Sequence, residues 1–154
     1  MFIPDDVYKD IMQTSIIPTV DILFLDKENR LLLWLRNNEP LGWIYYILGG
    51  RRRKWESLIQ SAVRKAKEEL HISIDPTKLQ FLNIYDDIFD NSMFENIWTH
   101  CSPATYIYAL SDAEIQDILP DIQHKNLEFF DLDDATLHPM VKIRISDLKK
   151  HLSI

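Results

Sequence analysis

Residues 49–72, GGRRRKWESLIQSAVRKAKEELHI, decide the fold of this chain. They begin with two adjacent glycines, although the whole chain contains only three, which indicates an unusual backbone conformation at this point. From Ser57 to Leu70 the apolar residues recur at spacings of three and four, as one buried face of an α-helix requires. The apolar, aromatic-rich residues 43–48 precede the glycines and predict a strand. The stretch therefore predicts a strand, a glycine loop and an acidic helix in direct succession.

The charged residues of this stretch are open to two interpretations. In the first, they are a solvated helix surface, in which Arg64–Glu68 and Lys65–Glu69 form pairs worth about 0.2–0.5 kcal/mol each. In the second, the carboxylates hold a phosphate-bound cation, because Mg²⁺ prefers hard oxygen ligands and substrate phosphates. Residues 51–54, RRRK, add four cations suited to phosphate. The position directly after a strand and a glycine pair favours the second interpretation.

The rest of the chain alternates between strand and helix patterns. Capping residues Ser111 and Glu114 mark the start of one of the helices. The last segment fits a closing helix, although residues 142–145 alternate like a strand. The mixture predicts an α/β (α+β) fold in which a mixed β-sheet is sandwiched between α-helices. The predicted strands are residues 16–25, 30–35, 79–85, 105–110 and 127–131, and the predicted helices are residues 5–12, 112–119 and 140–152.

Length, charge and composition exclude several classes of protein. The 154 residues fit one domain spanning 1–154. A net charge of −7 argues against a nucleic-acid partner. The single cysteine, Cys101, cannot form an internal disulfide, which suits a reducing compartment. No apolar run reaches the roughly 18 residues of a membrane span. We therefore expect a cytoplasmic protein with no nucleic-acid and no membrane partner.

The negative charge is confined to the second half of the chain. Residues 1–76 contain 11 acidic and 11 basic residues, whereas residues 77–154 contain 13 acidic and 6 basic ones. Between Arg36 and Glu69 there are eight basic and four acidic residues. The first half therefore contains a basic, glycine-containing region suited to one small polyanion such as a diphosphate.

The spacing of residues 50–72 resembles the signature of the Nudix hydrolases, G-x5-E-x7-R-E-U-x-E-E-x-G-U, in which U is aliphatic. The chain departs from it at Lys65, where the family has Glu, at Ala66, where a larger aliphatic is usual, and at His71, where the family has Gly. The resemblance implies a Nudix fold and hydrolysis of a nucleoside diphosphate derivative. The matching residues are Gly50, Glu56, Arg64, Glu68, Glu69 and Ile72.

A closer resemblance is to the GDP-mannose mannosyl hydrolase branch of that family. This branch also lacks the first Glu of the signature's REUxEE core, so Lys65 fits it better. Residues 1–33 look like the branch's opening helix and first hairpin, and LLLWLRNNEP, residues 31–40, matches the segment with its substrate-binding Arg. LPDIQHKNLEFFDLDD, residues 119–134, resembles the late segment that contains the branch's metal-ligating Gln and catalytic His.

The resemblance implies attack of water on the anomeric carbon of a nucleotide sugar, releasing a nucleoside diphosphate and the inverted sugar. His124 would be the general base, an apt role for a group with a pKa of about 6.5. Arg36 and Arg51 would clamp the phosphates. Asp21 would lie near His124 or the sugar, and Asp87 stands where the branch has a substrate-side His.

The same resemblance implies a metal cofactor, Mg²⁺ or Mn²⁺ as its substitute. Its ligands would be Glu69, Gln123 and the backbone carbonyl of Gly49, with Glu68 as an adjacent candidate. Lys65, one turn before Glu69, would either weaken this metal binding or act as a fixed cation on the diphosphate. The structural residues of the signature would be Gly50, Glu56 and Arg64, the last two as an ion pair between loop and helix.

Two other functions stay open at this point. One is an ordinary Nudix pyrophosphatase that cleaves between phosphates, and the other is a binding or regulatory module whose catalysis has faded. The branch resemblance also implies a homodimer. Two tryptophans, Trp55 and Trp98, suit either the core or stacking on a base, and the core is the favoured interpretation.

Overall fold

The computed structural model describes residues 3–37, 39–124 and 126–154, without the side chains of residues 120–124. It contains four α-helices, one 3₁₀ turn at Pro76–Lys78 and eight strands. The helices are α1 (Asp5–Thr14), α2 (Leu58–Leu70), α3 (Asp112–His124) and α4 (Pro139–Leu152). The strands are β1 (Ile17–Leu25), β2 (Leu31–Leu35), β3 (Tyr45–Tyr46), β4 (Leu48–Arg51), β5 (Gln80–Ile84), β6 (Asp87–Phe89), β7 (Thr99–Ala109) and β8 (Leu127–Phe130).

The strands form one mixed sheet built around β1. On one side β1 runs parallel to β7 along its whole length, from Ile17 opposite Cys101 to Leu25 opposite Ala109. On its other side β1 pairs antiparallel with β4 and with β2. The remaining strands extend this arrangement, because β3 and β8 pair with β2, while β5 and β6 pair with β7. A parallel pair within an otherwise antiparallel sheet is the mixed sheet that the sequence predicts.

Apolar side chains of alternate strand residues pack on opposite faces of the sheet. In β1, Ile22 and Phe24 join a cluster with α2 and α3, whereas Leu23 and Leu25 join a second cluster with α4. This alternation follows from the two-residue period of a strand. Because β1 is buried on both faces, it is apolar almost throughout. The fold with a sheet between helices is therefore confirmed.

Helix α2 begins and ends with capping interactions readable in the sequence. The Ser57 hydroxyl accepts a hydrogen bond from the Gln60 backbone N–H at 3.1 Å, and the Gln60 side chain accepts one from the Ser57 backbone N–H at 2.8 Å. This is a capping box. At its other end His71 adopts the left-handed conformation, with φ 57°. That conformation explains why the Nudix signature has Gly where this chain has His71.

Several element bounds differ from the sequence prediction. The predicted strand 43–48 is two strands, because β3 pairs with β2 and β4 then pairs with β1. Strand β7 begins six residues earlier than predicted, and β6 has no predicted counterpart, since residues 87–104 mix polar residues with Pro103. Helix α3 continues past Pro120, where the sequence predicts its end. Among the described helices, none has the length and apolar character needed to cross a membrane.

Candidate active site

One cavity of about 230 Å³ opens beside the middle of β1. Its wall includes residues of α1, β1, β3, β4, β6 and β7, together with residues of the loop between β2 and β3. The cavity therefore collects side chains that lie far apart in the sequence. Six of the site residues predicted from the sequence line it: Asp21, Arg36, Gly49, Gly50, Arg51 and Asp87.

Gly49 lies against β1 too closely for any side chain. A Cβ atom at Gly49 would lie 2.2 Å from the Val20 carbonyl oxygen and 2.5 Å from Asp21 Oδ1. Both distances are far below van der Waals contact. The need for glycine here thus arises from the close approach of β4 to β1 at Val20 and Asp21.

A buried ionic network forms part of the site. Arg144 Nη2 donates to Asp87 Oδ2 at 2.7 Å and to Asp21 Oδ2 at 3.2 Å. The Tyr46 hydroxyl donates to Asp87 Oδ2 at 2.9 Å. Arg144 is 1% exposed. One guanidinium thus fixes the two acidic side chains of the cavity wall.

Sequence reasoning missed Arg144. Its signal is present on α4, where Val141, Ile145 and Leu148 form a buried stripe and Arg144 lies on the same face. An arginine within an apolar helical stripe requires a buried carboxylate partner. Asp21 is the matching feature on β1, a carboxylate among apolar neighbours.

Burial raises the pKa of Asp21 to about 7, although the Arg144 charge lowers it, because the carboxylate is fully enclosed and faces Asp87 as well. The folded chain thus favours the protonated form of Asp21 between its ordinary pKa and about 7. The stability contributed by this preference is present at low pH and is lost as the pH rises through about 7.

Asp21→Asn is therefore expected to be more stable than the wild type at pH 8, by about 1–3 kcal/mol, because asparagine cannot ionise. The difference is expected to vanish near pH 4, where Asp21 is protonated in the folded chain. Urea unfolding at both pH values measures it. Asp90→Asn, at an exposed position, serves as the control that shows no such change. The assignment is contradicted if the difference in free energy of unfolding between Asp21→Asn and wild type is less favourable to the variant at pH 8 than at pH 4.

Two arginines supply positive charge to the cavity. Arg36 has a buried Nε that lacks a hydrogen-bond partner among the described residues. The Arg51 guanidinium lies 5.3 Å above the Tyr8 ring, which holds it at the cavity wall. Arginine suits bidentate contact with phosphate oxygens. The cavity thus combines these two cations with the acidic side chains Asp21 and Asp87.

The loop between β4 and α2 is fastened to the helix by an ion pair. Arg64 donates to both oxygens of Glu56, at 2.6 and 2.8 Å, and to the Arg51 carbonyl at 3.1 Å. The Ser61 hydroxyl also donates to Glu56. These hydrogen bonds, of which those from Arg64 have the largest effect, lower the pKa of Glu56 to about 2. The pairing expected of Glu56 and Arg64 is thus present in the structure.

Glu56→Gln is expected to lower the free energy of unfolding at pH 7 by about 1–2 kcal/mol, because Arg64 loses its ionised partner. Since the folded-state pKa of Glu56 is lowered, this stability exists above pH 4.5 and is lost as the pH falls towards 2. Denaturant titrations at pH 7 and pH 3 check both parts. Glu95→Gln, at an exposed position, is the control. Equal losses at both pH values contradict the assignment.

The predicted metal ligands do not all lie in the cavity wall. Glu68 and Glu69 line a separate groove with Trp34 and Asn37. Gln123 and the predicted base His124 belong to the last turn of α3, and their side chains lie outside the described part of the structure. The structure thus brings together Asp21, Arg36, Gly49, Gly50, Arg51 and Asp87, while Glu68 and Glu69 of α2 line the separate groove.

The carboxylates of α2 do not suit a divalent cation as they stand. Lys65 Nζ lies 2.5 Å from Glu69 Oε1. Glu68 accepts from Arg53 at 2.9 Å and from Arg64 at 3.0 Å. The described part of the chain holds no cluster of three or more His, Cys, Asp or Glu side chains able to bind a metal. The described side chains therefore do not fit a bound divalent cation in this arrangement.

The exposure of two tryptophans contradicts their predicted place in the core. Trp55 and Trp98 are 87% and 63% exposed, so their expected place in the core is wrong. Trp55 instead stacks under the Lys54 ammonium, 5.2 Å from the ring centre.

Burial raises the pKa of the Cys101 thiol to about 11, which keeps this cavity residue protonated and unreactive at neutral pH.

Comparison with known proteins agrees with this fold. A family model described as NUDIX domain matches residues 16–151. The chain belongs to the Nudix family. Nudix hydrolases generally use Mg²⁺ or Mn²⁺. The family assignment confirms the resemblance that the signature predicts, and it leaves the branch and the substrate to be argued separately.

Individual relatives extend the comparison. The chain is 30% identical over 141 residues to the low-salt glycan biosynthesis protein Agl8 of Haloferax volcanii, covering 91% of this chain and 86% of that protein. A MutT NUDIX hydrolase from Burkholderia pseudomallei is 21% identical, with a TM-score of 0.68 over 87% of this chain and 98% of its own. Shewanella oneidensis NrtR, solved with a 27mer DNA, is 21% identical with a TM-score of 0.65 over 88% of this chain, which spans 61% of the NrtR chain.

Proposed function

We propose that this chain hydrolyses a nucleotide sugar, with a GDP-sugar such as GDP-mannose as the first candidate, at the anomeric carbon. The observation that carries the proposal is that Arg36, Arg51, Asp21 and Asp87 line one cavity. Two cations suit a diphosphate, and carboxylates suit the hydroxyl groups of a sugar. The similarity to a glycan biosynthesis protein supports a role in sugar chemistry.

In the proposed reaction, a water oxygen forms a bond to the anomeric carbon, and the bond from that carbon to the β-phosphate oxygen breaks. The bonding electrons leave with the nucleoside diphosphate, whose negative charge Arg36 and Arg51 stabilise. The water proton passes to a general base, and the resemblance assigns that role to His124. The Arg144 network holds Asp21 and Asp87 in place at the sugar end.

His124→Ala is expected to lower kcat by at least about 10²-fold, because a positioned base contributes this much to a proton transfer. The circular dichroism spectrum and the melting temperature are expected to stay close to wild type. His151→Ala, on α4 and bonded to Gln80, is the matched control with unchanged turnover. Unchanged turnover in His124→Ala removes this residue from the proposed reaction.

A panel of GDP- and UDP-sugars, with products separated by chromatography, tests the function itself. Free sugar plus nucleoside diphosphate supports the proposal. Sugar phosphate plus nucleoside monophosphate identifies an ordinary Nudix pyrophosphatase instead. Binding without turnover of any compound identifies a binding or regulatory module. The homodimer implied by the branch resemblance stays a prediction, which sedimentation of the purified chain checks.

A further inference from the structure

Six charged side chains on α2 and the preceding loop form one connected cluster. Arg64 links Glu56 to Glu68, Arg53 also binds Glu68, and Lys65 binds Glu69 and Glu68. Three carboxylates and three cations give the cluster a formal charge of zero. A divalent cation would therefore add two positive charges to a cluster that is already neutral. The members are Arg53, Glu56, Arg64, Lys65, Glu68 and Glu69.

Lys65 is held in this cluster from two sides. Its Nζ lies 2.5 Å from Glu69 Oε1 and 3.5 Å from Glu68 Oε2. On the other side it packs on the backbone of β4, since a Cβ at Gly50 would lie 3.1 Å from Nζ and 2.9 Å from Cε. The Lys65 side chain is 13% exposed. The ammonium therefore lies between the helix carboxylates and a glycine of the cavity wall.

We propose that the Lys65 ammonium replaces a divalent metal ion at the α2 carboxylates, so that the chain binds no Mg²⁺ there. A lysine ammonium is a compact point charge, and here it contacts the carboxylates that a hard cation would need. The second part of the proposal rests on the proposed function: hydrolysis continues after divalent ions are removed. Lys65 then supplies a permanent positive charge beside Gly50, at the wall of the cavity.

Mn²⁺ binding, measured by electron paramagnetic resonance on the substrate-free protein, tests the first part. Lys65→Glu is expected to bind Mn²⁺ at least about 10-fold more tightly than wild type, because it turns the neutral cluster into one of charge −2. Lys65→Met, which removes the cation without adding an acid, is expected to lie between them. Lys67→Glu is the matched control, since it changes the net charge equally from an exposed neighbouring position. It is expected to match the wild type.

The proposal is overturned if the wild type binds Mn²⁺ as tightly as both Lys65 variants and if Glu69→Gln abolishes that binding. So does equal tightening in Lys67→Glu, because the effect would then be general charge. If Lys65→Glu does not fold, the comparison of wild type, Lys65→Met and Glu69→Gln still decides. Turnover in excess EDTA tests the second part: at least about half of the activity is expected to remain, and its complete loss overturns that part. Absence of any nucleotide-sugar hydrolysis defeats the proposed function and leaves the Mn²⁺ result standing.

Discussion

Replacing Arg144 with methionine is expected to lower the free energy of unfolding by about 3–5 kcal/mol at pH 7, the usual cost of removing one partner of a buried ion pair. The guanidinium is 1% exposed and binds two buried carboxylates, Asp21 and Asp87. It also lies 4.5 Å from the Tyr85 ring centre. Its loss leaves two acidic groups enclosed without a cation, which is costlier than the loss of a surface pair.

Urea unfolding measures this change. Two further variants test whether it arises from the buried ion pairs. Lys150→Met, on the same helix, removes a cation that is paired with Asp147 but 74% exposed, and it is expected to change stability by less than about 1 kcal/mol. In the double variant Asp21→Asn/Asp87→Asn, the further change Arg144→Met is expected to cost markedly less than in wild type. An equal cost in both backgrounds shows that Arg144 stabilises the fold by some contact other than the two carboxylates.

The double variant Arg36→Met/Arg51→Met is expected to lower kcat/KM for a nucleotide sugar by about 10³-fold, because two charge-assisted contacts of roughly 1.5–3 kcal/mol each are lost. Both side chains line the cavity. Methionine keeps much of the side-chain length and removes the charge. Each single variant is expected to lose about 10–100-fold on the same arithmetic.

Steady-state kinetics with the best nucleotide sugar measures the loss. Lys27→Met/Lys78→Met is the matched control, because it removes the same two charges from exposed positions outside the cavity wall. This control is expected to stay within about twofold of wild type, since salt screens exposed charges that do not contact the substrate. Equal losses in both double variants show that the net charge, rather than the cavity, explains the effect.

Sequence periodicity and spacing predict most of the fold. The long apolar run of β1 and the 3.6-residue stripe of α2 set those elements within a residue of their bounds, since both patterns extend over many residues. The strand β6 and the first half of β7 carry no such pattern. Strand β7 pairs with β1, and β6 pairs with β7. Such pairing between distant segments cannot be predicted from the local sequence.

The part of the site that lies within the signature motif can be predicted from the sequence. The part that depends on a side chain far away in the sequence cannot. Glu56 and Arg64 are eight residues apart in the Nudix signature, and the resemblance to that signature implies the pairing that the structure contains. Arg144 lies 123 residues from Asp21, so its contact depends on how α4 packs on the sheet. The position of Lys65 between Glu69 and Gly50 also requires the structure, because an ordinary surface pair has the same spacing.

Hydrolysis of a nucleotide sugar in H₂¹⁸O tests the central claim that this cavity directs water to the anomeric carbon. The reaction is run with Mg²⁺ and again in EDTA, and both products are analysed by mass spectrometry. We expect ¹⁸O in the released sugar, unlabelled nucleoside diphosphate, and the same labelling under both conditions. Label found in a phosphate group, with nucleoside monophosphate as the other product, contradicts this claim.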